Sequence, residues 1–201
     1  STQQLRMHIF FFASQFEIPE DLENVPDDLA IEDKWILAEF NETMDTVKTA
    51  WENLDIYTAT QALKTFGTGV LPSHYLEMVK SRLYDDDVAA SWTIHRIVRD
   101  FMSAFTPVCP FFTHHISESI YGESAVEVDA FPAPADPSVQ LGTVEGDRLR
   151  NLSAAVQSFN GETWNTKKEQ GISLNQPVSG VKIPEQLLDF TAILTRMHHL
   201  E

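Results

Sequence analysis

The stretch from Leu29 to about Asn53 constrains the fold more than any other part of the sequence. Its large apolar residues, and Leu54 just beyond, recur at steps of 4, 4, 3, 4 and 3, in the order Ile36, Phe40, Met44, Val47, Trp51 and Leu54. This spacing places them on one face of a long α-helix. A helix with an apolar face must pack against other elements to bury it, so the chain is predicted to form a helical bundle.

Similar periodic patterns predict further helices around this one. They cover residues ~3–15, the stretches Ile56–Phe66 and Tyr75–Tyr84, a helix that turns Ile94, Val98, Phe101 and Phe105 inward, and residues ~111–121. Short polar or proline-containing segments separate these helices. They are a connector at 17–28, an N-cap at Asp55, a kink or break at Gly67-Thr68-Gly69, and a stop with N-cap residues at Asp85-Asp86-Asp87. A stop and restart at Pro107 and Pro110 and a closing Gly122 follow.

Three prolines, Pro132, Pro134 and Pro137, mark a boundary between two predicted parts, residues 1–135 and 136–201. An extended segment at 125–131 precedes the boundary. The second part is predicted to hold a helix beginning after Asp136 and Pro137, two short strands within 172–183, and a last helix from Pro184. The predicted inward residues of these helices are Leu141, Val144, Leu152, Val156 and Phe159, then Leu187, Phe190, Leu194 and Met197. The predicted fold class is mainly α: a bundle of about five helices followed by a small, incomplete α/β segment.

The charge of the chain argues against a general affinity for nucleic acids. Its 201 residues include 14 Lys and Arg against 30 Asp and Glu, for a net charge of −16, whereas free-standing nucleic-acid binders are usually basic. The acidity is uneven, because residues 1–137 carry a net charge of −15 and residues 138–201 only −1. Any contact with nucleic acid must therefore depend on a few clustered cations.

No catalytic or metal site is predicted from the residues. Cys109 is the single cysteine, which excludes a disulfide framework and a cysteine metal cluster. His114 and His115 are adjacent, so on a regular helix they point about 100° apart and do not face one ion, even with Glu118 nearby. No apolar run approaches the ~18 residues of a membrane span, and we expect a cytoplasmic protein with no cofactor of its own.

Cationic and aromatic side chains are the remaining candidates for function, and the Tyr75–Tyr84 stretch is the most suggestive group of them. RNA loops are bound by stacking unpaired bases on aromatic or guanidinium planes while cations hold the phosphates. An amphipathic helix with a solvated charged face would explain the pattern of the Tyr75–Tyr84 stretch as well. Trp35 and Tyr75 are also consistent with positions in the hydrophobic core. The candidate RNA contacts are Lys34, Trp35, Tyr75, Lys80, Arg82, Arg96, Arg99, Lys167 and Lys168.

Five segments, in order along the chain, resemble the anticodon-binding domain of class I aminoacyl-tRNA synthetases. Asp33-Lys-Trp-Ile-Leu37 is similar to the start of that helical bundle, and Tyr75-Leu-Glu-Met-Val-Lys-Ser-Arg-Leu-Tyr84 to the signature of the valyl enzymes. The other three segments are Pro107–Thr113, Phe131-Pro132 and, in the manner of archaeal-type valyl enzymes, Trp164–Asn175.

This resemblance implies the C-terminal part of a ligase that attaches valine to its tRNA, using ATP and Mg²⁺ bound elsewhere. The ATP-site signatures of class I synthetases are absent from the sequence, so we expect a fragment that is inactive alone. Its implied partners are the valine tRNA and the catalytic domain of the same chain, with no DNA or membrane partner, in a monomer. Two alternatives remain: the same domain of an isoleucyl or leucyl enzyme, and an acidic helical module for protein–protein interaction.

Overall fold

The computed structural model describes residues 13–123, 131–132 and 138–201, except for the side chains of residues 138–143. These residues form a bundle of helices, as predicted. The helices are α1 (Ile31–Glu52), α2 (Ile56–Thr65), a π-helix (Phe66–Tyr75), α3 (Leu76–Tyr84), α4 (Val88–Phe105), α5 (Pro110–Tyr121), α6 (Ser138–Glu169), a 3-10 helix (Glu185–Phe190) and α7 (Thr191–His198).

Helix α1 is the centre of the bundle. It packs against α2, α4, α6, the π-helix and the 3-10 helix, and Ile36, Phe40, Met44 and Val47 on its predicted apolar face are buried. Leu54 is the exception: it lies beyond the helix end, with a φ of 57° and 85% of its surface exposed. The long periodic stretch therefore organises the core, as its sequence predicts.

Most of the predicted helix boundaries are confirmed. The side chain of Asp55 accepts a hydrogen bond from the Thr58 amide at the start of α2, and Asp87 accepts one from the Ala90 amide at the start of α4. Pro110 is the first residue of α5, and Gly122 ends that helix in the left-handed conformation with a φ of 68°, which glycine adopts without a steric penalty.

The predicted break at Gly67-Thr68-Gly69 is wrong. The chain stays helical through Phe66–Tyr75 but widens into π-helical turns, even with Pro72 inside them. Phe66, Leu71 and Tyr75 are buried, so continuing the helix keeps three large side chains in the core. A π-helix adds a residue to a turn, which is how α2 leads directly into α3.

The C-terminal part differs from its prediction in three ways. Helix α6 extends ten residues beyond Phe159, the last of its predicted inward residues, to Glu169, and Val144 on it is 81% exposed instead of buried. The two predicted strands within 172–183 do not form: this segment holds turns and a single isolated bridge between Val178 and Leu200. The last helix is confirmed, with Leu187, Phe190 and Leu194 in the common core.

Several predictions lie outside the described residues. They concern nearly all of the first helix at ~3–15, the extended segment at 125–131, and the proline boundary between residues 135 and 136. The connector at 17–28 is described and has no helix or strand. In the described part of the chain, no helix is both long and apolar enough to cross a lipid bilayer.

Candidate nucleic-acid interface

Arg82 joins three helices through ion pairs. Its Nη1 donates to Oε1 of Glu32 at 2.9 Å, its Nη2 to Oδ2 of Asp33 at 2.8 Å, and its Nε to Oδ2 of Asp87 at 2.9 Å. Burial alone would lower the pKa of Arg82, but its bonds to Asp33 and Asp87 outweigh this and raise it. The guanidinium is therefore committed to holding α3 against the N-terminal ends of α1 and α4.

Tyr75 is bonded to the Asp33 carboxylate, which Arg82 also contacts. Its hydroxyl donates to Oδ1 of Asp33 at 2.7 Å, while Oδ2 of Asp33 accepts the Ala30 amide at 3.0 Å. Tyr75 and Asp33 have no exposed surface, and burial raises the pKa of the Tyr75 hydroxyl. Because a buried ring offers no face to an unpaired base, Tyr75 is a packing residue here and not a stacking platform.

Trp35 and Arg96 are also directed into the protein. Trp35 has no exposed surface, so its ring belongs to the core. Nε of Arg96 donates to Oδ2 of Asp100 at 2.7 Å and its Nη1 to the Leu22 carbonyl at 3.0 Å, with 6% of the residue exposed. Arg96 therefore holds the 17–28 connector against α4. Trp35 and Arg96 are both too buried to contact RNA.

Lys167 is a further predicted contact that the structure buries. Its Nζ donates to the carbonyls of Leu174 at 2.6 Å and Gln176 at 2.8 Å. Burial lowers the pKa of its ammonium group. Lys167 thus holds the loop that follows α6, instead of reaching towards a phosphate.

The four remaining predicted contacts stay at the surface. Lys80 is exposed and lies 4.0 Å from Glu77, and Arg99 donates to Glu23 at 2.6 Å. Lys34 is half-buried, whereas Lys168 is exposed and has no ion-pair partner among the described residues. The exposed Lys80–Glu77 pair is weak, so Lys80 and Lys168 are the most accessible of these four predicted RNA contacts, whereas Lys34 and Arg99 are half-buried.

A polar and aromatic cluster joins the π-helix, α6 and α7. Asn160 donates from its amide to Nδ1 of His74 at 3.1 Å and accepts from Nε2 of His198 at 2.7 Å. The ring of Trp164 stacks on His74 with centroids 5.5 Å apart. Burial, with smaller effects of nearby Lys167, His199 and His74, lowers the pKa of His198 to about 4. The neutral histidines therefore fix the C-terminal helix to the bundle.

Two exposed cations of the C-terminal part were not singled out by sequence reasoning. Lys182 and Arg196 have no ion-pair partner in the described part of the chain, and both lie, with Lys168, in the C-terminal part. The signal that could have identified them is the net charge of −1 in residues 138–201, because a nearly neutral region leaves its cations uncompensated.

The predicted absence of a metal site stays a prediction. Within the described residues, no group of three or more potential ligands is arranged around a common point. Nε2 of His114 lies 3.6 Å from Oε2 of Glu118, which pairs these side chains with each other.

Comparison with known proteins identifies a family for most of the chain. A family model described as the anticodon-binding domain of tRNA ligase matches residues 33–183. The valine–tRNA ligase of Saccharolobus solfataricus is 33% identical over 77% of this chain, and that of Aeropyrum pernix is 31% identical over 86%. The valine–tRNA ligase of Haloarcula marismortui is 27% identical over 86%. The matched region spans 18%, 21% and 18% of these relatives respectively, or about a fifth of their length.

Proposed function

We propose, because this chain belongs to the family of tRNA-ligase anticodon-binding domains, that it binds the anticodon arm of the valine tRNA as part of a longer valine–tRNA ligase. The observation that carries the proposal is the match over residues 33–183 together with relatives that are named valine–tRNA ligases. These relatives favour valine over the isoleucyl and leucyl alternatives.

The distribution of charge supports an RNA surface in the C-terminal part of the chain. The acidic bundle repels the phosphate backbone of RNA. Cations that have no ion-pair partner within the protein contribute most to binding, because no carboxylate competes with the phosphate for them. Lys168, Lys182 and Arg196 are such cations in the C-terminal part, whereas Lys48 and Lys64, which also have no ion-pair partner among the described residues, lie on the acidic bundle. Lys80 is exposed with only a long contact to Glu77. The RNA would therefore approach the ends of α6 and α7 more closely than the acidic connector at 17–28.

In the longer ligase, this domain would position the tRNA while another domain joins valine to it. ATP and Mg²⁺ would be bound by that catalytic domain, so the described residues need no cofactor. We expect the ligase to act as a monomer in the cytoplasm, and recognition by this domain to lower the dissociation constant for the correct tRNA.

Binding of the chain to a fluorescent valine tRNA tests this proposal. We expect at least a roughly tenfold weaker affinity, equivalent to about 1.4 kcal/mol, for the same tRNA with its anticodon bases exchanged. Anisotropy measured at low salt gives both dissociation constants, and a tRNA with a changed acceptor stem but an intact anticodon is the control. Equal affinity for the original and exchanged anticodons, or no binding of either, would contradict the proposal.

A further inference from the structure

Four clefts in the described part of the chain differ in the charge of their walls. Three of them carry carboxylates and no Lys or Arg: one beside the 17–28 connector, with a volume of about 440 Å³, and two along α1 and α2. The fourth has a volume of about 470 Å³ and contains a lysine, Lys182. A polyanion such as RNA is repelled by the first three, whereas in the fourth Lys182 balances the charge of the one carboxylate, Glu162.

The fourth cleft, which we call the α6–loop cleft, lies between one face of α6 and the segment that leads into the 3-10 helix. Ser158 and Thr166 on α6, with Gln170 in the turn just after it, form one wall, and Ser179, Lys182 and Gln186 form the other. Its volume lies within the range of about 300–1,000 Å³ that is usual for small-ligand sites. One carboxylate, Glu162, lines it as well, and its Oε1 accepts a hydrogen bond from the Ser158 hydroxyl at 2.8 Å.

Four polar side chains of the α6–loop cleft have no partner within the described part of the protein. They are the ammonium group of Lys182, the amides of Gln170 and Gln186, and the hydroxyl of Ser179. Together they offer a cation, a hydroxyl and two amide groups from both walls. These groups match a nucleotide, which presents a phosphate, a ribose hydroxyl and the hydrogen-bonding edge of a base.

Both walls are held in place by contacts outside the cleft. Lys167 fixes the loop after α6 through the Leu174 and Gln176 carbonyls. Val178 donates its amide to the His199 carbonyl at 3.1 Å and accepts the Glu201 amide at 3.2 Å. Gly180, with a φ of 82°, makes the turn next to Lys182 in a conformation that favours glycine. The cleft is therefore formed before any ligand enters.

We propose that the α6–loop cleft binds one unpaired nucleotide of the anticodon arm, an inference that rests on the proposed function. Lys182 binds its phosphate, Ser179 meets the ribose, and the amides of Gln170 and Gln186 bind the base edge. RNA-binding sites of this kind read unpaired bases through such polar contacts. This assigns base recognition to a site that contains none of the Tyr75–Tyr84 residues.

Replacing Lys182 tests the phosphate contact. We expect Lys182→Ala to weaken binding of the valine tRNA several-fold and to reduce the slope of log affinity against log salt by about 0.7, the value for one phosphate of a single strand. Lys48→Ala is the matched control, because Lys48 is an exposed lysine of α1 with no ion-pair partner among the described residues. It should change neither quantity.

Replacing one of the two glutamine amides tests the proposed contact with the base. Gln170→Ala is expected to narrow the difference in affinity between the valine tRNA and its anticodon-exchanged forms, with the salt slope unchanged. If the unmodified protein discriminates between these tRNAs while Lys182→Ala behaves like Lys48→Ala, the cleft is not the site and the proposed function stands. If the unmodified protein binds neither tRNA, the proposed function fails, and this inference fails with it.

Discussion

Replacing Arg82 by methionine is expected to lower the free energy of unfolding by about 3–5 kcal/mol, the usual loss when one partner of a buried ion pair is removed. The substitution leaves the carboxylates of Glu32, Asp33 and Asp87 without the cation that compensates them. The uncompensated charge costs most at Asp33, because this carboxylate has no exposed surface. Urea unfolding monitored by circular dichroism measures the change.

Lys80→Met is the matched control, since Lys80 lies two residues earlier on the same helix and is exposed. We expect a change below about 0.5 kcal/mol, as for most surface substitutions. The loss of stability for Arg82→Lys should fall between these two values. An ammonium group keeps the charge, but it cannot form the two parallel bonds that Nη1 and Nη2 of Arg82 make to the two oxygens of Asp33. If Arg82→Met were as stable as the parent but bound tRNA more weakly, Arg82 would be an RNA contact and its structural role would be wrong.

Replacing Lys167 by methionine should have the next largest effect. It removes two hydrogen bonds from a charged donor to the carbonyls of Leu174 and Gln176, while it also relieves the burial of an ammonium group. We expect a net loss of about 2 kcal/mol in the free energy of unfolding. Hydrogen exchange should also become faster in residues 171–178, because Lys167 is what fixes that loop to α6.

Lys168→Met provides the comparison at the neighbouring position. Lys168 is exposed and has no ion-pair partner in the described residues, so its loss should leave stability and loop exchange unchanged while weakening tRNA binding. The opposite pattern, with Lys167→Met stable but defective in binding, would mean that Lys167 leaves the loop to meet RNA.

Periodicity predicted the bundle well because α1 and α4 bury regular apolar faces. It also predicted that the Tyr75–Tyr84 stretch is helical, and the structure has Tyr75 and Arg82 of this stretch both bonded to Asp33. What it could not supply was the partner, since Asp33 is 49 residues away from Arg82 in the chain. A cation on an amphipathic helix has the same spacing whether it faces solvent, RNA or a buried carboxylate.

The two wrong predictions of local secondary structure have related causes. Gly67, Gly69 and Pro72 predict a break by their own preferences, but burial of Phe66 and Leu71 overrides those preferences and gives a π-helix. Alternation within 172–183 predicted strands, yet a strand needs a neighbour, and the described chain offers only the Val178–Leu200 bridge. In each case, tertiary contacts that no local pattern contains decided the outcome.

The family-like segments also divide by role. Asp33 meets Tyr75 and Arg82, two residues of the Tyr75–Tyr84 segment, inside the bundle, and these contacts hold the bundle together. We therefore infer that Asp33, Tyr75 and Arg82 preserve the shape of the domain, and that the RNA-facing side chains are Lys80 and those cations of the C-terminal part that have no ion-pair partner.

A comparison of two matched double variants tests that division most directly. We predict that Lys168→Ala with Arg196→Ala weakens binding of the valine tRNA roughly tenfold and lowers the salt slope by about 1.5, at an unchanged melting temperature. Lys48→Ala with Lys64→Ala removes the same charge from α1 and α2 and should change neither quantity. An equal loss of affinity in both double variants, or a loss only in the second, would contradict the account.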